Sequence, residues 1–145
     1  MSDINCLLVD DEDEFLDIML KRMRKRRLNV QGARSGQEAL DILDDSSIDV
    51  IALDVKMPGM DGLTTLKEIK RRFPNIEVIM LTGHGTIETA VEGMKQGAYD
   101  YLLKPADFSD IETKLEGARQ RREEQEERIR KAEQRSLLRR SGNIY

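Results

Sequence analysis

The sequence predicts an α/β protein, a doubly wound sheet of five parallel strands with five helices, on three observations. Short runs rich in β-formers, too brief for helices, recur along the chain at 5–9, 29–33, 50–53, 76–81 and 99–103. Stretches with helical spacing separate them, and such alternation gives parallel strands with helices on both faces. Four of the five runs end on a reactive side chain: Asp10, Asp54, Thr82 and Lys104. In a parallel sheet the carboxyl ends of the strands are where ligands bind.

The first run, Asn5-Cys-Leu-Leu-Val9, gives way to Asp10, Asp11, Glu12, Asp13 and Glu14. A helix over about 14–27 follows, with Phe15, Ile18, Met19 and Met23 assigned to its apolar face. Acids in its first turn and Lys21, Arg22 and Arg24–Arg27 near its end suit the helix dipole. The dipole does not explain two adjacent carboxylates, Asp10 and Asp11, at a strand's end. Residues 29–33 are less apolar and suit an edge strand. Ser35-x-x-Glu38 is a capping box for a second helix through Leu43. After the strand at 50–53, a third helix starts past Asp61-Gly62, carries Leu63, Leu66 and Ile69, and stops before Pro74. The strand at 76–81 ends on Thr82-Gly83-His84-Gly85, and a fourth helix, about 86–96, is closed by Gly97. The last strand ends on Lys104-Pro105, and Ser109-x-x-Glu112 is assigned as a second capping box, opening the final helix. The expected strand order is the flavodoxin-like 2-1-3-4-5, with its crevice between the first and third strands.

Asp54 is the pivotal residue. An ionised carboxylate at the tip of an apolar strand is costly unless a cation meets it; the plainer reading is a cap on the following turn, Met57-Pro58-Gly59-Met60-Asp61-Gly62. With Asp10 and Asp11 across the crevice, three carboxylates would raise one another's pKa unless neutralised. The all-oxygen donor set describes Mg²⁺, since the single Cys6 and single His84 cannot build a zinc site. A cation, the Lys104 ammonium and the Thr82 hydroxyl around one carboxylate are what phosphoryl transfer requires. Asp54 would then be the nucleophile.

Composition narrows the partners. Charged residues make up 36 % of the 145-residue chain and the net charge is −4. Residues 116–140 carry nine Lys/Arg against six Asp/Glu, so the first 115 residues are acidic, which gives no footprint for nucleic acid. The lone cysteine fits a reducing, cytoplasmic setting. No apolar run approaches the roughly 18 residues that span a bilayer, and the N-terminus lacks the basic segment of a signal peptide.

Asp10-Asp11 after a strand, Asp54-x-x-Met57-Pro58-Gly59-x-Asp61-Gly62, Thr82 and Lys104-Pro105 together resemble the receiver domain of bacterial two-component response regulators. The resemblance covers about residues 3–120. It implies that Asp10, Asp11, Asp54 and the backbone carbonyl of Lys56 hold Mg²⁺. It also implies that Asp54 accepts a phosphoryl group from the phosphohistidine of a sensor histidine kinase or phosphotransfer protein. Thr82 and Lys104 would bind the phosphoryl oxygens, and the bond before Pro105 would be cis. Tyr101 falls where the family has its switch aromatic, against the alternative of an ordinary strand tyrosine. Lys56 and His84 fall at the mouth of the site, with tuning of phosphoryl lifetime as their assignable role. The output would be a changed surface on the fourth helix, fifth strand and fifth helix.

The chain divides, on this reading, into a receiver at 1–120 and a charged helical extension or linker with a frayed end at 121–145. Ile111, Leu115, Ala118, Arg122, Gln125, Ile129, Ala132 and Ser136 follow coiled-coil spacing with polar interruptions. The extension is thus either a weak pairing seam, favouring phosphorylation-dependent homodimers, or a solvated helix supported by alternating charge. There is no helix-turn-helix and no Walker-type loop, so direct nucleic-acid binding by this chain is not expected. Two other functions compete. A phosphatase of external substrates would want an acid two residues after Asp54, where Lys56 stands. A pure interaction module would not need every reactive position filled.

Overall fold

The computed structural model describes residues 4–26, 28–55, 61–83 and 87–142, without the side chain of Ile87. Strands β1 (Asn5–Val9), β2 (Asn29–Ala33), β3 (Val50–Asp54), β4 (Glu77–Thr82) and β5 (Asp100–Leu103) form one parallel sheet in the order β2-β1-β3-β4-β5. The sheet and its order are those expected from the alternation of elements. Every residue of β3 and β4 is buried, whereas the edge strands β2 and β5 alternate with exposed positions. Continuous apolar runs in the centre and mixed ones at the edges are what a sheet covered on both faces requires.

Five helices connect and cover the strands: α1 (Asp13–Lys25), α2 (Gly36–Asp45), α3 (Gly62–Arg72), α4 (Ile87–Lys95) and α5 (Phe108–Arg140). Successive side chains on a strand point to opposite faces, so the sheet makes two cores. Leu7, Val9, Ile51, Leu53, Val78 and Met80 face α2 and α3. Cys6, Leu8, Val50, Ala52, Ile79 and Leu81 face Leu16, Met19 and Met23 of α1 and Ile111, Leu115 and Ala118 of α5. Caps explain the helix starts at α2 and α3: Ser35 Oγ accepts from Glu38 N at 3.1 Å, and Asp61 Oδ1 accepts from Thr64 N at 2.8 Å. Gly97, at φ +102°, closes α4 in the left-handed conformation glycine tolerates.

Three expectations are corrected. Ile18 does not belong to the buried face of α1: it is 53 % exposed, while Leu16 is buried with Met19 and Met23. The i, i+3, i+7 stripe centred on Leu16 is what meets the sheet, and Ile18 falls on its far side. Ser109 does not cap α5, which begins one residue earlier with Asp107 at the N-cap and no side-chain cap bond. Ser109 lies inside the first turn, where its carbonyl accepts from Thr113 Oγ1. The proposed seam along α5 is also not continuous: its first three members, Ile111, Leu115 and Ala118, are spent on the sheet.

Where α5 leaves the sheet it is held by charge. Arg121 Nε lies 2.6 Å from Glu77 Oε2 and Arg122 Nε 3.2 Å from Asp49 Oδ1. Glu77 is almost wholly buried at the start of β4, with Lys70 Nζ at 3.7 Å on its other side. Asp49 in turn accepts from Asn5 N at 3.0 Å. Burial lowers the pKa of Lys70; Glu77 opposes that shift and Arg121 adds to it. Beyond Arg122 the helix runs to Arg140 with Ile129, Leu137 and Leu138 exposed.

Candidate functional site

The parallel register alone brings the reactive residues together. Val9 pairs with Leu53, so Asp10 and Asp54 leave adjacent strands side by side. Thr82 pairs with Leu103, and Lys104 N donates to Thr82 O at 2.8 Å, which sets Lys104 next in the row. Asp10, Asp54 and Thr82 are 0 %, 4 % and 3 % exposed, and Asp11 is exposed at the rim. One carboxylate oxygen from each of Asp10, Asp11 and Asp54 lies within 4.8 Å of the others.

Local backbone fixes this geometry. Asp10 N donates to Ala33 O, and Asp10 Oδ1 accepts from Glu12 N at 2.9 Å, turning the chain into α1. After Asp54 the chain returns so tightly that Gly62 N donates to Val55 O at 2.8 Å. A Cβ on Gly62 would stand 2.4 Å from the carbonyl oxygen of Asp54, so the Asp61-Gly62 pair is required by close approach as well as by capping.

Among the described residues, Lys104 is a cation that meets these acids. Its Nζ lies 2.5 Å from Asp10 Oδ2, 3.7 Å from Glu12 Oε1 and 3.8 Å from Asp54 Oδ1. Burial is the largest single influence on this ammonium and pulls its pKa down. The hydrogen bond and charge of Asp10, then Asp54 and Glu12, together outweigh it, and the pKa is raised. Lys104 is therefore a fixed positive charge at neutral pH. The ammonium also lies over the ring of Phe15, with Nζ 4.3 Å from the centroid. Sequence reasoning assigned Phe15 only to a helix face and gave Glu12 no role. An aromatic residue inside the acidic 10–14 to 17 stretch was the available signal.

The other sequence-derived candidates divide. The Lys104–Pro105 bond is cis. Tyr101 is 40 % exposed and lies with Ala90, Val91, Met94 and Lys95 around a shallow apolar hollow between β5 and α4. Lys56, His84 and the Met57-Pro58-Gly59 turn lie outside the described residues.

Asp10, Asp11 and Asp54 bring three carboxylates together, two of them beside the Lys104 ammonium, so negative charge is left over, from oxygen donors only. That is the donor chemistry of a hard divalent cation such as Mg²⁺, which favours carboxylates and retained water, and the cluster fits it.

Comparison with known proteins agrees with this geometry. Residues 6–116 match the model of the response regulator receiver domain. The transcriptional regulatory protein ZraR of Escherichia coli (strain K12) is 43 % identical over 115 residues, covering 79 % of this chain and 26 % of that protein. A putative NtrX-like response regulator of Rickettsia bellii is 43 % identical over 107 residues, covering 72 % and 22 %. This chain thus spans about a quarter of the length of these relatives. Among solved structures, the receiver domain of NtrX from Brucella abortus superposes with a TM-score of 0.76 at 33 % identity, covering 80 % of this chain and 98 % of that one. A CheY-like receiver domain protein from Methanospirillum hungatei gives 0.81 at 26 %, covering 86 % and 99 %. With the strand order, the acidic strand ends and these matches in agreement, the chain belongs to the response regulator receiver domain family of two-component systems.

Proposed function

We propose that this chain is a phosphoacceptor module in which Asp54 takes a phosphoryl group from the phosphohistidine of a sensor histidine kinase or phosphotransfer protein. The observation that carries the reading is the meeting of Asp10, Asp11 and Asp54, with the Lys104 ammonium beside Asp10 and Asp54. An oxygen of Asp54 attacks phosphorus, an O–P bond forms as the N–P bond breaks, and the electron pair returns to the imidazole of the donor. The product is an acyl phosphate, whose hydrolysis by water restores Asp54 and releases inorganic phosphate. The chain catalyses only these reactions of its own side chain and is not otherwise an enzyme.

Mg²⁺ would be held by Asp10, Asp11, Asp54 and the backbone carbonyl of Lys56; when bound it supplies positive charge to the phosphoryl oxygens. Lys104 neutralises a further oxygen and Thr82 donates its hydroxyl to another. Lys56 and His84 would tune the lifetime of the acyl phosphate. Movement of Thr82 towards the phosphoryl group draws the exposed Tyr101 inward. That changes the surface of α4, β5 and α5, the face on which a second copy associates. Among the described residues no helix is long and apolar enough to cross a membrane, and a cytoplasmic setting suits a histidine kinase partner. Lys56 two residues after Asp54, where a phosphatase of external substrates would place its acid, further favours the module reading.

Adding Mg²⁺ and beryllofluoride, a phosphoryl mimic, to ¹⁵N-labelled protein tests this reading. Mg²⁺ alone is expected to shift the amide of Asp54, whose carboxylate would hold it, whereas the amides of Thr82, Tyr101 and Lys104 are expected to shift only when both are present. Unchanged spectra, or equal shifts without Mg²⁺, would refute it.

A further inference from the structure

We propose that Phe15 is a positioning residue of this site: its ring seats the Lys104 ammonium between Asp10 and Asp54. The proposal rests on the phosphoacceptor reading and adds a residue to it. Lys104 is a point charge on a flexible four-carbon stem, and the acids around it do not define one place. Asp10 and Asp54 draw it inward, while Glu12, at 3.7 Å and two-thirds exposed, draws it towards solvent. The ring of Phe15 adds a contact that is not a charge: its centroid lies 4.3 Å from Nζ, a distance at which the ring face attracts a cation.

Placement supports the role. Phe15 stands in the first turn of α1, directly after the chain leaves Asp10 and Asp11. It is partly buried against the core that holds Leu16, Ile111 and Leu115, so the ring is anchored by packing independent of the acids' charge. Its neighbours Glu12, Asp13, Glu14 and Asp17 are all acidic, so Phe15 is the apolar side chain of this stretch that reaches the ammonium. Among the described residues it is the one ring over this ammonium. A seat that does not depend on Asp54 keeps Lys104 within reach when Asp54 exchanges its own charge for that of a phosphoryl group.

The test uses the full chain, ¹⁵N-labelled, and the ¹H–¹⁵N signal of the Lys104 ammonium, assigned by its loss in Lys104→Arg. A seated, shielded ammonium exchanges slowly enough to be seen. The signal is expected in the parent and in Phe15→Tyr, which keeps the ring, and is expected to vanish in Phe15→Leu. Labelling by acetyl phosphate should fall roughly 3- to 10-fold in Phe15→Leu, the scale of one cation–ring contact, and stay within about twofold in Phe15→Tyr. An unchanged thermal midpoint separates this from loss of packing; if Phe15→Leu does not fold, Phe15→Met is read in its place. A ringless variant that keeps both the signal and the parental labelling rate overturns the proposal, as does a Tyr variant impaired as much as the Leu one. If the parent itself is never labelled, the phosphoacceptor reading fails, while the ammonium signal still decides the role of Phe15.

Discussion

Lys104 holds Asp10 by a direct ion pair and reaches Asp54 only at 3.8 Å, so its charge and its reach are separable properties. Arginine keeps the charge but replaces a movable point by a rigid fork. Lys104→Arg should therefore still be labelled on Asp54 but should lose most of the shift of the β4 and β5 amides that follows labelling. A shift of parental size in the variant would show that Lys104 does not couple the site to the surface. Cys6 gives a second test at this scale. Burial first, and the charge of Asp49 second, push its thiol from an ordinary 9.0 up to about 12. Above pH 9 the unfolded thiol loses its proton while the folded one keeps it, so the unfolded state binds fewer protons and stability falls as pH rises towards 12. Between pH 8 and 10.5 the parent should lose about 2 kcal/mol more than Cys6→Ala, by urea unfolding, from a stretch of about 1.5 pH units above the ordinary value.

These residues also show what a sequence discloses. Asp10, Asp54, Thr82 and Lys104 were legible because each breaks an apolar run at its carboxyl end, and parallel pairing then makes neighbours of residues that follow paired positions. Glu12 and Phe15 were not, because their helical surroundings explain an acid and an apolar residue equally well. Only the position of the Lys104 ammonium tells them apart from an ordinary first turn.

Among the elements, α5 departs furthest from its sequence pattern. Coiled-coil spacing runs unbroken from Ile111, yet the first turns of that seam pack on Leu8, Ile79 and Leu81 and offer nothing to a partner. Periodicity reports an apolar stripe without saying what covers it. The domain's hold on α5 reaches past Gln120 to the pairs Arg121–Glu77 and Arg122–Asp49, contacts 44 and 73 residues apart in sequence that no local pattern announces. Arg121→Ala would leave the buried Glu77 with Lys70 at 3.7 Å. The expected destabilisation is about 1–3 kcal/mol, below the roughly 3–5 of a fully buried pair because Arg121 is nearly half exposed. An unchanged urea midpoint would remove this joint from the account. A truncation meant to isolate the receiver should accordingly end after Glu123 rather than at Gln120.

For the whole molecule, the free part of α5 is the segment beyond Arg122, 18 residues or about 27 Å of helix. Its exposed Ile129, Leu137 and Leu138 are too few for a strong pairing seam, so the α4–β5–α5 face must supply most of any association. Sedimentation should show the full chain associating more strongly with Mg²⁺ and beryllofluoride than without, and a chain ending at Glu123 associating less. If both chains stay monomeric at tens of micromolar with the mimic, a range in which modest interfaces of about 1,200 Å² show themselves, the extension is a solvated helix.

On the proposed function, Asp54 is the one phosphoacceptor and a divalent cation held with Asp10 and Asp11 is required. Intact mass after incubation with acetyl phosphate measures it most directly. The parent should gain one phosphoryl group with Mg²⁺ and none with a chelator, and Asp54→Asn should gain none under either condition. Stoichiometric labelling of Asp54→Asn at another residue, or labelling of the parent that is indifferent to chelation, would show that Asp54 and its cation do not have these roles.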